Sequence, residues 1–238
     1  MKKNIIIFMM GIVLLFSFTG CHNNKETSNA DAVKFKEEYE ALNNTKNEKN
    51  GKQHRVLDFD EDNSFIYTSA SEIIKMMEDK ENFVVYFGFA SCPWCRSAIP
   101  TLMEVADDLE LYPIYYVDVK EIRDTKVINE EGKVVTEKEG TEEYYQLLEK
   151  MDSVLENYTL TNQDGNEVET GEKRIYAPNI VSVIDGEAVE LTDGISPNQT
   201  DAYMELTDKM KKESYDKIKS SIKSVAEIKN TCSTGTKC

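Results

Sequence analysis

The chain has 238 residues, with 44 acids against 28 bases (formal net charge −16), 40% hydrophobic and 30% charged residues, five cysteines and two histidines. That balance is too apolar for a disordered chain and too evenly spread for a multi-span membrane protein, so one soluble domain with appendages is expected. The acidic charge disfavours nucleic acid and anionic lipid surfaces as direct partners, because both repel it, although solubility accounts for the charge equally well. His22 and His54 sit in polar surroundings near the start, which leaves little for histidine-based catalysis. An odd number of cysteines in an exported chain leaves one thiol needing its own account.

In chain order, Lys2 and Lys3 precede an uncharged run from Ile5 to Phe18 that ends in Thr19-Gly20-Cys21. The run is well short of the roughly 20 apolar residues of a bilayer span, so residues 1–20 are expected to be a signal peptide. Phe18-Thr19-Gly20-Cys21 resembles the lipobox of bacterial lipoproteins, which implies lipidation at Cys21; an ordinary secretory signal beside an unpaired thiol is the plainer alternative. Removing residues 1–20 takes away two lysines, leaving 26 bases against 44 acids, a net −18. Residues 21–54 are polar, lack proline and suit a tether, within which Val33, Phe35, Tyr39 and Leu42 have the spacing of one short amphipathic helix that either docks on the domain or does nothing.

A domain is expected over 55–230. Phe65-Ile66-Tyr67 reads as a strand, and Ser69-Ala70-Ser71-Glu72 is a capping-box pattern opening a helix with Ile73, Ile74, Met76 and Met77. Phe83 to Phe87 is a continuous apolar run typical of a buried central strand. It leads into Cys92-Pro93-Trp94-Cys95, a helix carrying Ile99, Leu102, Met103, Val105, Ala106 and Leu109, and a second buried strand over Pro113–Val119. This β-α-β-α-β order favours an α/β fold, a sheet with helices on its faces. Residues 120–173 are less regular: Val127-Ile128 and Val134-Val135 flank a Glu131-Gly132 turn, and Thr141 to Tyr158 carries Tyr144, Leu148, Met151 and Leu155 at helical spacing. Ile180–Ile184, Asp185-Gly186 and Ala188–Leu191 form the clearest hairpin signal. An extended helix or helix pair is expected after Ser196-Pro197, followed by a cysteine-containing tail over 231–238.

Chemistry concentrates at Cys92 and Cys95. If a helix starts just after Cys92, Pro93 falls at its first position, where the missing N–H does no harm, and Cys92 becomes the cap. Its sulfur then faces unpaired backbone N–H groups and the positive end of the helix dipole, both of which favour thiolate over thiol. Cys95 lies on the same side and can close a small disulfide or resolve a mixed one, so Cys92 is expected to attack and Cys95 to release. A zinc half-site would need further thiols, and Cys232 and Cys238 are widely spaced in a polar tail. A haem attachment would need histidine where Arg96 stands, and a plain structural disulfide is the remaining alternative. No metal and no cofactor are expected.

The motif resembles the thioredoxin superfamily, and the match extends beyond the two cysteines. Thioredoxins carry a proline five residues after the second cysteine, as Pro100 follows Cys95, and a cis proline before a strand and its glycine turn, as in Ala177-Pro178 and Asn179–Gly186. They also carry a glycine after the last strand, where Gly194 falls. The resemblance covers 65–119 and 174–210. It implies a thioredoxin-like fold, a large insertion at about 120–173 before the cis-proline strand, and a substrate groove formed by Pro93, Trp94, Ala177 and Pro178, in which an extended segment pairs beside the nucleophile. Two departures matter: Tyr86 stands where thioredoxin has a buried Asp, and Cys-Pro-aromatic-Cys is closer to glutaredoxins. Phe87-Gly88, Cys92-Pro93 and Cys95-Arg96 are similar to an arrangement in thioredoxin-like lipoproteins of Gram-positive bacteria and bacteriocin transport accessory proteins.

The implied function is a lipid-anchored thiol–disulfide oxidoreductase on the outer face of the bacterial membrane, exchanging disulfides with exported proteins and with a membrane redox partner. The competing reading is a binding or accessory module for exported peptides in which redox chemistry is incidental. Cys232 and Cys238 are expected to form a second disulfide, or alternatively a tail dithiol that exchanges electrons with Cys92.

Overall fold

The computed structural model describes residues 24–233. It runs α1 (Asn24–Glu40), β1 (Phe65–Tyr67), α2 (Ala70–Glu78), β2 (Phe83–Gly88), α3 (Pro93–Asp108) and β3 (Ile114–Asp118). The chain continues through β4 (Thr125–Ile128), β5 (Val134–Lys138), α4 (Glu142–Lys150), β6 (Glu156–Thr161), β7 (Glu167–Arg174), β8 (Asn179–Ile184), β9 (Glu187–Thr192) and α5 (Asp208–Ser233). The main sheet has the order β1-β3-β2-β8-β9. β1 and β2 lie parallel to β3, while β8 is antiparallel to both β2 and β9. The architecture is therefore a mixed sheet flanked by helices.

Strand periodicity sorts the core into two layers. Val84 and Tyr86 of β2, Ile114 and Tyr116 of β3 and Ile180 of β8 face one side, packed with residues of α1, α3 and α5. Phe83, Val85, Phe87, Val117, Val181 and Val183 face the other, where α2 and α4 cover them. β2 is buried at all six positions, as its unbroken apolar run requires of a strand covered on both faces. The capping box at Ser69 is present, with Ser69 and Glu72 each bonding the other's backbone N–H. At the end of β9, Gly194 has φ +69°, and a Cβ there would lie 2.9 Å from Ile218 Cδ1, so α5 packs against the sheet where no side chain fits.

Three features differ from the sequence expectation. The polar segment 21–54 is not a solvated tether across its described part. Phe35 and Tyr39 of α1 are fully buried, and Phe35 stacks on Phe65 at 4.1 Å between ring centroids. The following loop is tied down by Asn43, which accepts from Leu57 N–H (2.9 Å) and donates to Leu57 O (2.6 Å). The helix expected to reach Tyr158 ends at Lys150, and Tyr158 lies in the β6–β7 hairpin, whose turn is Asn162–Asn166. The C-terminal helix begins at Asp208 rather than after Pro197. Ser196, Gln199 and Asp201 spend their side chains or carbonyls on local hydrogen bonds, and Thr207 accepts from Met210 N–H at the helix start. Within the 120–173 segment, Tyr144, Leu147 and Met151 are fully buried in the second layer.

Residues 1–20, Cys21 and Cys238 lie outside the described residues, so the expected signal peptide, lipid site and tail disulfide do too. Cys232 falls in the last turn of α5. Among the described residues no helix is long and apolar enough to cross a membrane. Because Phe35 sits in a closed aromatic cluster, Phe35→Ala should lower unfolding free energy by about 3–5 kcal/mol in urea titrations, whereas a change in a free tether would cost almost nothing.

Candidate active site

β2 ends at Gly88, and after a short turn in which Cys92 N–H donates to Phe89 O, α3 begins at Pro93. Cys92 is the N-cap residue in extended conformation, and its Sγ accepts from Cys95 N–H at 3.1 Å. The thiol also donates to the carbonyl of Ala177, 3.2 Å away, across the turn that precedes β8. The Ala177–Pro178 peptide is cis; so is Tyr112–Pro113, about which the sequence carried no expectation. Both thiols are buried and free, while Pro93 and Trp94 are half-buried at the same corner.

The environment separates the two sulfurs. Burial alone would raise the Cys92 pKa, but hydrogen bonds from the Cys95 thiol and from the Cys95 and Trp94 amides, with the charge of Arg123, carry it below the ordinary thiol value. Cys95, fully buried, is driven well above that value by desolvation and then by its hydrogen bond to Cys92 and the charge there. The surroundings thus favour ionisation of Cys92 and oppose that of Cys95. When Cys92 ionises, its contact with the Ala177 carbonyl turns repulsive, whereas the helix amides remain attractive.

Tyr86 of β2 is fully buried, and its hydroxyl makes no hydrogen bond of regular geometry among the described residues. Burial, and next the charges of Cys95 and Cys92, push its pKa well above the phenolic value, so it can offer a proton to sulfur but cannot take one as a carboxylate would. A Cβ on Gly88 would lie 2.3 Å from the Tyr86 hydroxyl, so the Gly88 of the motif leaves room for this side chain.

Two arginines carry roles that the motif alone does not reveal. Arg96, directly after Cys95, is fully buried with no carboxylate partner among the described residues. Its guanidinium donates to Arg55 O (3.0 and 2.6 Å), Tyr39 O (2.7 Å), Ala90 O (3.3 Å) and Asn43 Oδ1 (2.9 Å), which binds α1 and its loop to the first turn of α3. Arg123, past the end of β3, lies over the Phe89 ring at 5.1 Å and supplies the cationic influence on Cys92. Nothing in its local sequence, Glu121-Ile122-Arg123-Asp124, distinguishes it from a solvated charge.

Among the described residues, no group of three or more His, Cys, Asp or Glu is placed to hold a metal ion. Of the expected site residues, Cys92, Pro93, Trp94, Cys95 and Ala177-Pro178 are brought together; Cys21 and Cys238 are not described. Compared with known proteins, the chain matches no family model and no curated protein.

Thiolate absorbance and alkylation of the reduced protein should titrate Cys92 with a midpoint below that of an ordinary thiol, Cys95 remaining unmodified through neutral pH. Arg123→Gln removes a cation and must move that midpoint upward. Arg96→Met strips the charged donor from four acceptors, of which Tyr39 O and Ala90 O are buried, and should cost at least about 2 kcal/mol of stability by urea unfolding, because each stranded buried acceptor costs about 1–3 kcal/mol.

Proposed function

We propose that the chain is a thiol–disulfide oxidoreductase of thioredoxin-like fold, anchored by lipid at Cys21 on the outer face of the bacterial membrane and acting on exported proteins. The observation that carries this reading is the placement of Cys92 Sγ, 3.1 Å from a helix N-terminal amide and 3.2 Å from the carbonyl of Ala177, with a second thiol one helical turn on. A structural disulfide needs neither the lowered pKa of one sulfur nor a backbone edge beside it. The fold reading is supported by the strand order β1-β3-β2-β8-β9 and by the packing of the Ala177-Pro178 turn against the cap of α3.

In the reducing direction, the Cys92 thiolate attacks one sulfur of a substrate disulfide. A Cys92–substrate bond forms, the substrate S–S bond breaks, and the first substrate sulfur leaves as thiolate and takes a proton from solvent. Cys95 then loses its proton and attacks Cys92 Sγ, closing the Cys92–Cys95 disulfide and releasing the second substrate thiolate. Two electrons pass from the protein to the substrate. The reverse sequence oxidises a substrate dithiol, and the direction follows the difference in reduction potential. The raised pKa of Cys95 slows its attack until the mixed disulfide has removed the negative charge on Cys92.

The mixed disulfide gives the test. In Cys95→Ala protein the second step has no nucleophile, so exported proteins should accumulate bound to Cys92 and be freed by reductant; cells that yield no such adducts would sink the enzymatic reading and leave a binding module.

A further inference from the structure

A cleft of about 880 Å³ opens beside the redox pair, with Phe89, Ser91 and Pro93 of the active-site turn in its lining. In a chain of net charge −16 its lining is of the opposite sign: Lys46, Lys49, Lys120, Arg123, Lys138 and Arg174 against Glu48 and Glu121. Some of these cations are already occupied. Arg174 is paired with Asp124 at 2.8 Å, and Lys120 and Lys138 share Glu121, each at 4.0 Å. Lys46, Lys49 and Arg123 make no ion pair among the described residues, although acids outnumber bases over the chain as a whole. A fourth group in the lining, His54, is only 4% exposed, and its Nδ1 has no hydrogen-bond partner.

The unpaired groups come from two separate stretches of chain. The loop after α1 contributes Lys46, Lys49 and His54, and the segment after β3 contributes Arg123, with the Cys92 turn also in the lining. The cleft is far larger than an inorganic anion needs and is continuous with the nucleophile's surroundings. We propose that it binds an acidic stretch of the polypeptide whose cysteine meets Cys92, so that Asp and Glu residues near that cysteine select the substrate. This rests on the oxidoreductase reading and names its substrate class. Acidic side chains would pair with Lys46 and Lys49, while like-charged basic segments would be turned away.

The test uses three octapeptides, each with a central cysteine capped as a disulfide and flanked by Glu, Ser or Lys. Oxidation of the reduced full-length protein is followed through the fluorescence of Trp94, its single tryptophan. At physiological ionic strength the Glu peptide should react about tenfold faster than the Lys peptide, and the preference should shrink in 1 M salt. Lys46→Ser with Lys49→Ser should abolish the preference while leaving the rate with an uncharged aromatic disulfide unchanged. Equal rates for the three peptides, or a preference that survives the double substitution, would overturn the proposal. Binding of the same peptides with serine in place of cysteine to Cys92→Ser protein, read by anisotropy, separates the two ideas. Tighter binding of the Glu peptide, lost with the lysine substitutions, supports the cleft even if no disulfide is exchanged; no discrimination there overturns the cleft even if exchange is fast.

Discussion

The structure depends on the register of β2. Every residue of that strand is buried, and its side chains alternate between two different layers of helices. A slip of one residue would send Val84 and Tyr86 into the layer built for Phe83, Val85 and Phe87, and the reverse, which is why the register is strongly specified. Because β2 runs by way of a short turn into α3, the same register decides where the first amides of α3 point and therefore which sulfur they stabilise. The chemical difference between Cys92 and Cys95 is in this sense a product of core packing.

Much of this was legible in the sequence because the signals were local. The apolar run of β2, the proline after Cys92, the capping box at Ser69 and the Asp185-Gly186 turn each state their conformation within a few residues. What was left open or missed depends on partners distant in the chain. Phe35 and Tyr39 are isolated aromatics in an Asn-, Lys- and Glu-rich stretch, and only their fit beside Phe65 and Tyr116 makes α1 part of the core. β6 and β7 alternate weakly and are largely exposed, so the hairpin shows itself through the Asn162–Gly165 turn rather than through hydrophobic pattern. Ahead of α5 the Ser196 and Gln199 side chains bond the backbone of Asn198 and Asp201, and Thr207 caps the helix by accepting from Met210 N–H, which periodicity does not record.

The segment between β3 and β8 ties scaffold to site. α4 supplies half of one helical layer, while Arg174 at the end of β7 returns to Asp124 near its beginning through Nη1 to Oδ1 (2.8 Å) and Nη2 to the backbone oxygen (3.1 Å). That clasp closes the base of the segment beside the cleft. Tyr158 lies under the same guanidinium at 3.9 Å, so packing and charge act at one point.

Arg96 has a further consequence for where such a protein can work. A buried guanidinium is usually held by carboxylates, and that arrangement weakens as acid protonates them. Here the acceptors are backbone carbonyls and one side-chain amide, none of which titrates. The bracing that Arg96 gives the cysteine-bearing turn therefore does not depend on the protonation of any acid.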